Sequence, residues 1–407
     1  MPAPHTPAPH TPAPHTPAPH TPAPHTPAPH TPAPHTPAPH TPAPHTSAPH
    51  TPWAAPALRA VLDRAAATGA DAGPRFPLYA DPATGAWTTT RRGAWTGGFW
   101  TGLLWLRAHT TGSPRDRATA VECTARLADW TRADTATRGL IFWYGTGPAG
   151  GEGPADATAR ALRSRAARAC LADLDLELGL VPWGDAFGGP RLVARADAVP
   201  GLVPLLATAG PRGVAAAASH LHRHLDLCRA GALAWRYETA TGWRPLPDPG
   251  PGWSRGRAWL LLAVADALTR AADGADAELW RPDRLRRAAA WLGGGLAGPL
   301  VPPADEARPD GPLDTSAAAI TAVALLKLAA LPGADTAAGT RRAAAVLHRL
   351  VTAHLTTGEG PRPAGMLLDG CYDAASGTAV RHELVWGDYF LALGLAMLTG
   401  GVAPGDA

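Results

Sequence analysis

The stretch "PGWSRGRAWLLLAVADALTRAA", residues 251–272, decides how the rest of the chain is read. The breaker-rich run "DPGPG" at 248–252 stops at Ser254, a good helix N-cap. Apolar residues then recur three and four apart as far as residue 272, which predicts a helix over 254–272. Arg255 stands in its first turn, where the partial positive charge of a helix start mildly disfavours a cation. Arg255 and Trp259 are four apart and share one helix face. A guanidinium suits bidentate carboxylate recognition and stacking on an indole. The pair therefore points to an acidic ligand such as a sugar acid, with a plain Arg–Trp packing pair as the alternative.

Working outward, the same spacing recurs over 56–68, 98–109, 116–131, 156–172, 197–209, 213–228, 282–292, 315–331, 339–355 and 386–399. Only a few stretches read as strands. Residues 233–246 read as a hairpin turning at Thr241-Gly242, and 139–145 as a short strand or a helix start. Eleven or twelve helices of ordinary length with short loops and no fixed repeat of about 30 to 50 residues argue against a regular solenoid. They predict an all-α fold, an (α/α)6 toroid, with a site where the loops entering the inner helices gather. The first residues differ. "PAPHT" repeats from Pro2 to about residue 52, and proline at that density removes donors and fixes φ. Residues 1–52 are expected to be a disordered tail, and residues 53–407 the (α/α)6 catalytic domain.

Composition excludes several classes. The 407 residues carry a formal net charge of +3 with no dominant basic block, so nucleic-acid binding is unsupported. No apolar run of about 20 residues predicts a membrane span, and no secretory pattern is read at the N-terminus. The 4 cysteines, Cys123, Cys170, Cys228 and Cys371, form no CxxC and are read as buried free thiols. These features point to a cytoplasmic protein. Tryptophan, at 15, outnumbers phenylalanine and tyrosine together, at 5 each, as in a pocket that stacks sugars.

Individual residues sort by local chemistry. Trp95 and Trp100 flank Thr96-Gly97-Gly98, where paired glycines let a ligand approach the backbone. Trp95 is read as pocket and Trp100 as core. Trp183, in the loop "LVPWGDAFGG", is a stacking candidate, and Asp185 beside it a turn residue. Asp314 reads as a helix cap. Asp197 opens an apolar segment, either as a capping acid or as a working one. His220 and His224 share a helix face, but Leu221 stands where the zinc motif HExxH needs glutamate, so no metal site is expected.

"WSRGRAW" resembles the "WSRGQAW" motif of unsaturated glucuronyl hydrolases, glycoside hydrolase family 88. Other segments match in order. "WTGGFWTGLLWL" (95–106) is similar to that family's "WTSGFWPGLLWL", and "ADAVPGLVPLL" (196–206) to its "IDTMMNLPLL". "LDTSAAAITAVALLKL" (313–328) is similar to "DSSAAAIAASGLLEL", and 367–398 to the family's C-terminal pattern. The resemblance implies a six-hairpin (α/α)6 glycosidase without cofactor or metal. It would act on oligosaccharides ending in a 4,5-unsaturated uronic acid, hydrating the vinyl ether so that the hemiketal opens and releases the next sugar. It makes Asp197 the catalytic aspartate, Arg255 and Trp259 substrate contacts with Trp95 and Trp183, and places His220 near a family histidine that meets the substrate.

The pattern also departs from the family. Its His-Asp pair, in "HDxGF", falls on Ala136 and Thr137 when aligned on Gly139, and Asp134 reaches that place only through a loop shift. The glutamine of "WSRGQAW" is Arg257, and a C-terminal histidine is Asp373. Two alternatives follow: a non-catalytic sugar-binding descendant, and an unsaturated rhamnogalacturonyl hydrolase of the related family 105.

Overall fold

The computed structural model describes residues 51–147, 154–272, 274, 276–293 and 298–406. The tail expected over 1–52 lies outside the described residues up to residue 50.

Among the described residues the helices are α1 (Ala54–Ala72), α2 (Gly97–Thr111), α3 (Pro114–Ala125), α4 (Arg138–Thr146), α5 (Pro154–Ala172), α6 (Leu202–Ala207), α7 (Pro211–Arg229), α8 (Ser254–Ala272), a short α9 (Ala277–Trp280), α10 (Pro282–Leu292), α11 (Thr315–Ala329), α12 (Thr336–Ala353) and α13 (Val385–Leu398). Six of them close a ring: α2 packs on α4, α4 on α6, α6 on α8, α8 on α11, α11 on α13, and α13 back on α2. Outside it, α3 lies on α2, α5 on α4, α7 on α6, α10 on α8, α12 on α11 and α1 on α13. Leaving α9 aside, outer and inner helices alternate along the chain, which is the (α/α)6 toroid.

Side-chain pattern decides which ring each helix joins. α13, "VWGDYFLALGLAML", is buried from Val385 to Met397 and is apolar nearly all round, as an inner helix must be. α10 buries only Leu285, Ala288 and Leu292, a single stripe suited to the outside. Glycine sets the inner spacing. A Cβ on Gly98 would stand 2.3 Å from the Leu140 carbonyl oxygen, so α2 and α4 meet at backbone contact only because it is absent. Aromatic rings fill the core of the ring: Phe99 lies 5.3 Å from Tyr144 and 6.0 Å from Trp259, centroid to centroid.

Two small antiparallel sheets accompany the helices. One orders β2 (Trp87–Thr90), β1 (Phe76–Ala80), β7 (Thr378–Leu384) and β6 (Gly370–Asp373). The other orders β3 (Val193–Arg195), β4 (Ala234–Glu238) and β5 (Gly242–Pro245). The β4–β5 hairpin turns where the sequence reading placed it, just before Gly242.

Two expectations needed correction, and one left open is resolved. Residues 139–145, read as a short strand or a helix start, lie in the helix α4, whose 9 residues are too few for apolar periodicity to separate the two. The helix expected over 116–131 ends at Ala125. A 3-10 turn, Ala128–Arg132, follows and lets the Trp130 indole donate to the Arg92 carbonyl at 2.6 Å. The helix expected over 197–209 is broken by Pro200 and by Gly201 at φ 69°, so Asp197 lies in a separate 3-10 turn, Ala196–Ala198, ahead of α6.

Candidate active site

The chain segments that enter the inner helices converge on one cavity of about 630 Å³. Trp95 precedes α2, Thr137 precedes α4, Asp197 precedes α6, Arg255 opens α8, and Tyr372 and Asp373 close β6 ahead of α13. All of them line the cavity, at the end of the ring where the inner helices begin.

Asp197 faces it from the 3-10 turn. Both its oxygens accept from Arg195, Oδ1 from Nε at 3.1 Å and Oδ2 from Nη2 at 3.4 Å. The Arg195 guanidinium lies 5.0 Å from the Trp183 ring centroid, and both residues also line the cavity. The pair is only partly covered, with side chains 24% and 20% exposed for Arg195 and Asp197. The Asp197 carboxylate, against the opposing cost of burial and with smaller contributions from Asp248 and Asp373, holds the Arg195 guanidinium above its ordinary value.

Arg255 is a different case. Its Nη1 donates to Asp314 Oδ2 at 2.6 Å and to the Cys371 carbonyl, and its Nη2 donates to the Tyr372 carbonyl at 2.7 Å. Its guanidinium lies 5.2 Å from Trp253 and 5.5 Å from Trp386, centroid to guanidinium carbon, and not over Trp259 as the four-residue spacing suggested. Asp314 caps α11, as expected, through Oδ1, which accepts from the Ser316 and Ala317 amides, while Oδ2 holds Arg255. Arg255 thus pins strand β6 to the starts of α8 and α11. That explains a cation in the first turn: the nearby carboxylate outweighs the helix end.

Trp95, Trp183, Trp253, Trp259 and Tyr372 supply the aromatic walls. Trp259 is 1% exposed and stacked on Phe99, so it forms the floor rather than a mobile platform. Trp100 is core, as expected. Trp183 sits in a loop that turns at Gly184, φ 87°, where a Cβ would stand 2.0 Å from the Asp134 carbonyl oxygen. Only glycine permits that approach. Asp185 is in the turn that follows, its carbonyl accepting from the Gly188 amide.

His220 needs a correction. It is fully buried and does not line the cavity. Its Nδ1 accepts the Val181 amide at 3.1 Å, so Nε2 carries the proton and faces the Ala198 carbonyl at 3.4 Å. It braces the turn that bears Asp197 from behind. The His220 and His224 rings lie 4.3 Å apart, and His224 Nδ1 donates to the His220 carbonyl. Burial drives His220 well below the usual histidine range and His224 down to about 4, so both are neutral. Among the described residues no group of three or more His, Cys, Asp or Glu side chains is placed to hold a metal ion.

Thr137 stands in the cavity wall where the sequence resemblance places a carboxylate, and its hydroxyl is 2.9 Å from that of Thr135. Asp134 does not take its place: it pairs with Arg191 at 2.8 Å and does not line the cavity. Arg257 is likewise outside, paired with Glu306. Several lining residues escaped the sequence reading, among them Arg195, Asp248, Trp253, Asp305, Arg308 and Tyr372, while Asp373 was noted there only as a departure from the family pattern. Arg195 left a trace, because the i, i+2 spacing at a strand end puts it on the same side as Asp197. Burial pushes the Asp373 carboxyl up, but bonds from the Ser376 hydroxyl and from the Ser376 and Ala375 amides outweigh it and hold it below the usual carboxylate range. Cys371, another lining residue, is pushed up to about 11 by burial and is no thiolate nucleophile at neutral pH. All four cysteines are free and buried, as expected.

No protein-family model matches the chain, and no curated protein matches it. Solved structures do. The unsaturated glucuronyl hydrolase from Bacillus sp. GL1, described as responsible for the degradation of glycosaminoglycan, superposes with a TM-score of 0.71 at 23% identity, over 86% of this chain and 97% of that one. An unsaturated glucuronyl hydrolase specific for heparin gives 0.72 at 19%, over 86% and 98%. An aspartate-to-asparagine variant of UGL with dGlcA-Glc-Rha-Glc gives 0.73 at 24%, over 85% and 97%. The fold is therefore that of these hydrolases across nearly the whole ring.

Proposed function

We propose that the chain is a hydrolase of oligosaccharides whose non-reducing end is a 4,5-unsaturated uronic acid. The observation that carries this reading is the Asp197 carboxylate, opening beside Arg195 into a cavity walled by four indoles and Tyr372. The volume of about 630 Å³ lies in the range of small-ligand sites. Indole faces suit the apolar faces of sugar rings, and a guanidinium suits the uronate carboxylate. Asp197 delivers a proton to the double bond and assists the water that adds to the adjacent carbon. The hemiketal so formed opens and expels the next sugar. No residue but Asp197 is asked to move a proton, in keeping with a hydroxyl at Thr137. The fold shared with unsaturated glucuronyl hydrolases supports the same reading. The domain doing this work is residues 53–407, and the four free buried thiols suit a reducing, cytoplasmic setting.

The test is turnover of a panel of unsaturated disaccharides made by polysaccharide lyases, followed by loss of the double-bond absorbance. Consumption of a glucuronyl or a galacturonyl-rhamnose product also separates the two substrate classes. The buried Thr135–Thr137 hydroxyl pair favours a second reading, a binding protein without catalysis. Saturable binding with no consumption of any panel member establishes that reading and ends the first.

A further inference from the structure

The cavity lining carries three arginines, Arg195, Arg255 and Arg308, each already paired with an aspartate. They are not equally able to receive a ligand. Arg255 is 7% exposed, and its partner Asp314 is fully buried, so taking Arg255 away leaves a bare charge in the interior. It also releases the Cys371 and Tyr372 carbonyls. Arg308 is 66% exposed and bound to Asp305 three residues away, a rim pair screened by solvent. Arg195 alone is half-sheltered while its partner faces the cavity. Its bond to Asp197 Oδ2 is long at 3.4 Å, and its ring partner Trp183 holds the guanidinium plane in place whichever carboxylate it meets.

Asp197 has a matching difficulty. With both oxygens accepting from Arg195, it must give up one of those bonds to carry the proton that the proposed reaction requires. The lining already holds four aspartates, Asp197, Asp248, Asp305 and Asp373, against its three arginines. A substrate carboxylate adds a further negative charge unless it displaces one. His224, the other titratable group behind Asp197, is neutral and cannot offset it.

We propose that Arg195 is the receptor for the substrate's carboxylate, and that it changes partner from Asp197 to the substrate when the site fills. This rests on the proposed substrate class but not on turnover. Arg255 then acts as a positioning residue for β6.

The test compares an unsaturated uronyl disaccharide with its methyl ester, which keeps the shape and removes the charge. The ratio is taken within each variant, so a general loss of fold or activity cancels. In the wild type, kcat/KM favours the acid by about 10- to 100-fold, the span of a charge-assisted pair. In Arg195→Gln the preference falls to within about threefold, and Arg195→Lys restores part of it. Binding is read by calorimetry in Asp197→Asn, where Arg195 has lost its charged competitor. There the acid-to-ester affinity ratio rises several-fold above the wild-type kcat/KM ratio, and it collapses in the double variant with Arg195→Gln. Turnover with an acid preference that survives Arg195→Gln overturns the proposal and leaves the function intact. No turnover, with calorimetric ratios that still depend on Arg195, overturns the hydrolase reading and keeps the receptor. A wild type that binds the acid no better than the ester, or binds neither, ends the proposal.

Discussion

Two arginines reach the same cavity from pairs of very different character. Arg255–Asp314 is enclosed, with side chains 7% and 0% exposed, and every contact ties one helix start to another or to β6. Arg195–Asp197 stands 24% and 20% exposed, spans two residues of one strand end, and ties nothing distant together. The chemistry is the same; the surroundings decide whether a pair is scaffold or tool. A buried pair cannot lose one member without stranding the other, whereas a half-open pair can change partners. Variants at the two pairs should therefore separate into losses of stability and losses of activity.

The largest contrast is expected at the carboxylates. Asp197→Asn removes the proposed proton carrier and should lower turnover of an unsaturated disaccharide by about 10²- to 10⁴-fold, with the thermal midpoint hardly moved. Asp314→Asn should do the reverse in kind, weakening the fold before any effect on chemistry can be read. An Asp197→Asn protein that keeps its rate removes Asp197 from the mechanism and, with it, the functional half of the comparison.

Next come the guanidinium groups. Arg255→Met leaves Asp314 buried without its cation and should cost roughly 3–5 kcal/mol in denaturant unfolding. Arg195→Met removes a partly exposed pair, and the same measurement should register less than about 1 kcal/mol. Equal losses at the two sites would break the distinction.

A smaller effect concerns the histidines behind the open pair. His224 is held down to about 4 by burial, below its unfolded value near 6.5. Its folded form resists the proton that the unfolded chain accepts. Above about 6.5 it contributes nothing to the pH dependence. Between 6.5 and about 4 it lowers stability as the pH falls, at about 1.4 kcal/mol per pH unit for one proton. His220, also driven down by burial, adds in the same direction. His224→Phe should flatten the acid limb of a stability–pH curve by about one proton. An unchanged slope would place the acid sensitivity elsewhere.

The sequence carried most of this architecture, and where it fell short the reason is physical. Periodicity located the outer helices by their polar sides and the long inner ones by apolar spacing sustained over several turns. It left α4, "RGLIFWYGT", open as a short strand or a helix start, because 9 residues are too few for the two periods to separate. Asp197, Trp95, Trp183, Trp259 and Arg255 all reach one cavity, since each stands at or near the entry to an inner helix or in a breaker-rich loop. Their roles were less legible. Spacing placed Arg255 over Trp259, but its contacts are with Asp314, Cys371 and Tyr372, all from remote segments. Local spacing cannot foresee a partner 59 residues away. His220 was drawn into the pocket by its neighbourhood in sequence. The fold turns it inward, where it joins Val181 to the Asp197 turn.

The smallest expected effect sharpens the comparison from a third side. Thr137 lines the cavity, yet its hydroxyl meets Thr135 at 2.9 Å and its amide donates to the same Thr135 oxygen at 3.1 Å. Thr137→Val keeps the shape and removes that single hydroxyl bond, so its cost should be about 1 kcal/mol by thermal unfolding. A hydroxyl already paired within its own turn has no charge to offer a uronate, and the preference for acid over methyl ester should stay with Arg195, its proposed receptor. If Thr137→Val erases that preference while Arg195→Gln does not, recognition of the carboxylate belongs to the wall entering α4, and the open arginine–aspartate pair is scaffold after all.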